Sequence, residues 1–196
     1  MKTNKLLLLG ILLFGFNSTA QNKYSLPEGF EIYKDFEEKT LRLDKDFDND
    51  GILDLAIMTK PQIENENNDN FLFVFLSSRF YDSGVGYYIP ITNSNGYNLN
   101  YIKQVLTISG CFGVGRYCET YKFKYYKNLQ NLRLIGYDEE AFGNYQHDGA
   151  YFKSINFITK KMEYTEGKKT IRKINFPLIT LENYDDNIRK QINEIN

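Results

Sequence analysis

The sequence predicts a mainly β fold: a single-domain antiparallel sandwich or barrel-like meander with a short C-terminal helix. Three observations carry that expectation. Aromatics make up 16% of the 196 residues, with 16 Tyr, 15 Phe and no Trp, and such side chains suit a pleated surface. Apolar runs are short and recur with turn chemistry between them. Several of these runs alternate with period two, the strand period. No internal repeat marks a propeller or solenoid, and no Pro/Gly/Ser linker divides the chain.

The N-terminus reads as a cleavable secretory signal peptide over residues 1–20. Lys2 and Lys5 precede an apolar run from Leu6 to Phe16, and Ser18 and Ala20 supply the small residues of a cleavage site. The run is shorter than the roughly 20 residues of a spanning helix. The expected product is an exported chain, periplasmic or extracellular, whose residues 21–196 form one β-rich domain.

The first strand pair is Thr40–Leu43 and Leu53–Met58. Phe71 to Leu76 is apolar on both faces, as in a central strand covered on both sides. Tyr87 to Ile91 reads as a strand stopped near Pro90. In Lys103 to Ser109, Leu106 and Ile108 face one way and Val105 and Thr107 the other. In Glu119 to Tyr126, Tyr121, Phe123 and Tyr125 share a face. Leu132–Tyr137, Ala150–Ile158, Met162–Glu166 and Thr170–Phe176 complete a meander. Ile188, Ile192 and Ile195 recur at helical spacing, behind Asn183 or Asp185 as an N-cap.

The most specific feature lies between the first two strands, at residues 46–54: Asp46-Phe47-Asp48-Asn49-Asp50-Gly51-Ile52-Leu53-Asp54. Three carboxylates two residues apart can converge inside a tight loop, and Gly51 permits the dihedral that bends the chain. The expected metal ligands are Asp46, Asp48, Asp50 and Asp54 through side chains and Ile52 through its carbonyl. An all-oxygen, mostly anionic set suits calcium. The site contains neither thiolate nor imidazole to attract zinc. The twelfth loop position, where an EF-hand carries Glu, is Ile57. The loop resembles the calcium loops of FG-GAP and VCBS-type repeats of integrin α chains, which join adjacent strands. The resemblance spans one copy and implies the loop, not a propeller. A looser resemblance, through Lys122–Tyr125, Leu132–Gly136 and Ser154–Lys161, is to small exported bacterial proteins of unknown function.

Cys111 and Cys118, the only cysteines, bracket one loop between two strands. In an oxidising compartment they are expected to form a disulfide. The spacing is not that of a C-x-x-C redox pair.

Other chemistry is thin. His147, the sole histidine, sits in Asn144-Tyr145-Gln146-His147-Asp148-Gly149, ordinary loop composition. Asp138, Glu139 and Glu140 could hold a glycosidase pair, but read as a solvated turn. Tyr87, Tyr88 and the Tyr97–Tyr101 stretch could form a sugar platform, or be half-buried strand residues. With 24 basic and 25 acidic side chains, nothing draws the chain to nucleic acid. No segment after the leader is apolar enough to span a membrane. Two function classes follow. One is an exported, calcium-stabilised, non-catalytic module for an envelope or extracellular glycan or protein. The other is a secreted hydrolase with an unrecognised active site.

Overall fold

The computed structural model describes residues 24–63, 69–80, 84, 86–92, 96–113, 117–143 and 149–195. The expected signal peptide and His147 lie outside them. Among the described residues are twelve strands and two helices. The strands are β1 (Phe30–Ile32), β2 (Arg42–Lys45), β3 (Asp54–Pro61), β4 (Asn70–Phe75), β5 (Tyr87–Ile91), β6 (Tyr97–Ile102), β7 (Val105–Phe112), β8 (Tyr117–Tyr126), β9 (Asn131–Phe142), β10 (Ala150–Asn156), β11 (Lys161–Glu166) and β12 (Lys168–Lys173). The helices are α1 (Ser77–Phe80) and α2 (Asp186–Glu194).

These strands build two antiparallel sheets and no closed barrel, so the sandwich expectation holds over the barrel. The larger sheet is a simple meander, β12-β11-β10-β9-β8-β7-β6. In the smaller, β4 lies between β3 and β5, and β1 and β2 pair with different stretches of β3. One core joins the sheets. Ala56, Met58, Leu72, Val74 and Ile89 face Leu106, Ile108, Tyr121, Phe123, Leu134 and Ile155 across it.

The alternation seen in the sequence explains these faces. Leu106, Ile108, Tyr121 and Phe123 are buried, while Val105, Thr107 and Lys122 are only partly so. The apolar run in β4 is buried on both sides. Leu72 and Val74 enter the main core, whereas Phe73 and Phe75 join Leu55 and Ile57 beneath Tyr24, Leu26 and Tyr88. Pro90 does not stop β5, which runs through it to Ile91. β5 has one strand neighbour, and an edge strand spares proline its missing N–H.

Other boundaries differ from the sequence reading. The strand expected to end at Tyr137 continues to Phe142, because β8 and β10 both pair with its second half. Asp138, Glu139 and Glu140 therefore lie in a strand, not a turn. The pairing of β7 with β8 likewise extends through Cys111 and Cys118, which face each other in register. Their sulfurs lie 2.09 Å apart, at bonding distance.

At the C-terminus, α2 is capped by Asp185, whose carboxylate accepts the Ile188 N–H at 2.8 Å. This satisfies one of the orphan donors of the first turn. Ile192 is fully buried, and Ile188 and Ile195 pack beside it. Arg189 clamps the helix to the buried Asp69 with two hydrogen bonds of 2.8 and 2.7 Å.

Candidate functional site

The acidic loop leaves β2 at Lys45 and enters β3 at Asp54. Its backbone takes left-handed conformations at Asn49 (φ 61°) and Gly51 (φ 87°). Asn tolerates this region and Gly has no Cβ to clash there. The two reversals wind the loop so that one carboxylate oxygen from each of Asp46, Asp48 and Asp50 falls within 4.8 Å of the others.

Internal hydrogen bonds hold that winding. Asp46 accepts from the backbone N–H groups of Asp50 and Gly51 at 3.1 and 3.0 Å, and Asp50 accepts from Ile52 at 2.7 Å. The serines of α1 reach across: the Ser77 hydroxyl donates to Asp50 at 2.8 Å and the Ser78 hydroxyl to Asp48 at 2.5 Å. Phe47, pointing inward between two acids, is buried in the main core with its ring edge-on to Tyr101 of β6. The loop is thus pinned to both sheets.

Asp54 plays another part. It is fully buried, and its Oδ2 accepts the N–H of Phe47 at 2.6 Å and of Asp48 at 3.3 Å, while Oδ1 accepts the Ser77 N–H at 2.7 Å. It closes the loop onto β3 and α1, outside the group formed by Asp46, Asp48 and Asp50. The Ile52 side chain is half exposed, and its N–H is spent on Asp50.

The electrostatics of the loop are anionic. Burial pushes the Asp54 carboxyl up to about 6, against the backbone hydrogen bonds that favour its charge. Burial, and then the neighbouring Asp50 charge, raises Asp48 as well. Arg42, the nearest arginine in sequence, is committed to Asp44 through two hydrogen bonds of 2.7 and 2.6 Å. Among the described residues, no lysine or arginine forms an ion pair with Asp46, Asp48, Asp50 or Asp54. Beside the loop lies an open depression of about 460 Å³ lined by Asp48, Asn49, Asp50, Ser78, Tyr125 and Lys127.

The remaining candidates are dispersed. Asp138 pairs with Lys122 and accepts the Ser154 hydroxyl at 2.7 Å, Glu139 is buried against Lys153, and Glu140 is exposed. Neighbours along a strand face opposite sides, so Glu139 and its two flanking acids do not meet. The tyrosine stretches are packed rather than displayed. Tyr87 contacts Arg79 and Asn131, Tyr97 donates to the Thr92 carbonyl, and the Tyr88 hydroxyl is buried. Sequence reasoning missed Glu119 and Lys153 and read Glu139 as part of a solvated turn, whereas all three are under 5% exposed.

No protein-family model matches the chain, and no curated protein and no solved structure matches it.

Proposed function

We propose that this chain is an exported β-rich module, stabilised by one calcium ion in the loop of residues 46–54, that binds a glycan or protein outside the cytoplasm without catalysis. The observation that carries the reading is the convergence of Asp46, Asp48 and Asp50. Three carboxylates at that separation repel one another, and a divalent cation relieves the repulsion. Hard, flexible oxygen coordination favours calcium over magnesium, which demands stricter octahedral geometry and retains its water. Asp54 belongs to the site as the residue that shapes the loop. The ion's remaining ligands would be the Ile52 carbonyl, water, or a group of the external ligand entering the depression beside Tyr125 and Lys127.

The FG-GAP resemblance carries over the loop alone and supports reading it as a calcium site. The thermal test uses the folded protein with chelator, calcium or magnesium. Chelation should lower the melting temperature and calcium should restore it, with magnesium much weaker. At a hundredfold excess over its dissociation constant, calcium would contribute about 2.7 kcal/mol by mass action. A melting curve indifferent to all three additions would refute calcium stabilisation.

A further inference from the structure

Well inside the larger sheet, β8, β9, β10 and α2 converge on a buried polar cluster. Glu119 of β8 and Glu139 of β9 are cross-strand partners, and both are almost wholly removed from solvent. Lys153 of β10, equally buried, places its ammonium 2.6 Å from Glu139 and donates to the backbone carbonyl of Asn193 at 3.0 Å, at the end of α2. Tyr151 donates to the other Glu139 oxygen. Glu119 is surrounded instead by neutral hydroxyls: Tyr117 at 3.3 Å, Tyr121 and Thr92 at 3.2 Å, and Tyr137 at 3.1 Å.

The Tyr137 hydroxyl is the critical atom. It lies 3.1 Å from Glu119, 2.9 Å from Glu139 and 3.2 Å from the Asn193 side-chain oxygen. A phenol has one proton to donate. If that proton serves Glu139, the contact with Glu119 needs a proton from Glu119. The Asn193 amide can turn its nitrogen to the hydroxyl. Charge gives the same answer. Two buried carboxyls face one buried ammonium, and an unpaired buried charge is strongly unfavourable.

We propose that Glu119 enters the fold as a neutral carboxylic acid donating to Tyr137, so that a single proton latches α2 to the larger sheet through Tyr137 and Asn193. Among the described residues, the surrounding groups do not supply a second cation. On β11, Tyr164 stacks on Tyr151 and donates to Glu166. Tyr184 lies edge-on to Tyr121. Arg189 of α2 is spent on Asp69 and Asp186. Burial, the largest influence on Glu119, raises its carboxyl above the usual range despite the hydroxyls that favour the anion. The proton resides on Glu119 because the Lys153 ammonium is paired with Glu139.

The unfolded chain releases this proton near the ordinary Glu value of about 4.3, while the folded chain holds it to higher pH. The latch's contribution is therefore complete below that ordinary value and falls as pH rises through the raised folded value.

Infrared titration of the full chain with isotope-labelled glutamate tests the latch. A protonated-carboxyl band should persist above the ordinary range and vanish in Glu119→Gln. In Glu139→Gln, where Lys153 is left to Glu119, the band should titrate at lower pH. Hydrogen exchange at about pH 8, well above the ordinary carboxylate range, should be slower over α2 in Glu119→Gln than in the parent, with β4 unchanged. A wild-type carboxyl population titrating wholly within the ordinary range would overturn the proposal, even if neither variant folds. So would a Glu119→Gln protein that folds but is destabilised at every pH, since that marks an anion held by four hydroxyls.

Discussion

Asp54 and the three acids before it look alike in the sequence, and their surroundings separate them. Asp54 satisfies three backbone N–H groups from two segments. Asp54→Ala would leave those donors without their acceptor, each at about 1–3 kcal/mol if it stays buried. We predict that it lowers the urea midpoint substantially even in the presence of chelator. The double variant Asp48→Ala/Asp50→Ala should instead stay close to the chelated parent and lose the calcium response. Equal midpoints for the two variants in chelator would refute this division of labour. The acidic spacing and Gly51 were legible because the winding of the loop is local. The role of Asp54 was not, because one of its partners, Ser77, lies on a different element. Glu119 and Lys153 were more accessible than that. Glu119 shares strand parity with Tyr121 and Phe123, and Lys153 with Ile155 and Phe157. Parity alone therefore put both charges on the core face.

Among the elements, the β7–β8 hairpin carries the disulfide as a cross-strand staple. Closing so short a loop contributes ~2.5 kcal/mol in the chain-entropy picture. Reduction should lower the unfolding free energy by about that amount without changing far-UV dichroism, and an unchanged denaturant midpoint would contradict it. The approach to β5 offers a second test. A Cβ on Gly86 would sit 2.4 Å from the Val74 carbonyl oxygen and 2.6 Å from the Phe73 ring. Overpacking of this kind costs about 1–3 kcal/mol. Gly86→Ala should therefore destabilise by at least that range, and a neutral substitution would show that the edge strand shifts freely. Strand cores were legible from alternation, and α2 from its isoleucine spacing and Asp185. The far half of β9 was hidden by three consecutive acids, because sequence composition does not reveal that Lys122 and Lys153 wait on opposite faces of the sheet. The one-turn helix α1 has too few residues to show a period.

Across the whole molecule, the acidic loop stands at a junction. Phe47 anchors it in the common core, Tyr101 meets it from the larger sheet, and Ser77 and Ser78 meet it from the end of β4. An ion held there would restrain both sheets at once, so its binding energy should appear in global unfolding rather than in local fraying. That coupling depends on the ion binding at all. Isothermal titration of the folded protein with calcium measures it directly. The account predicts one calcium per chain with a dissociation constant on the order of 10⁻⁴ to 10⁻³ M, absent in Asp48→Ala/Asp50→Ala. No heat of binding at millimolar calcium, in protein whose near-UV dichroism shows it folded, would contradict it.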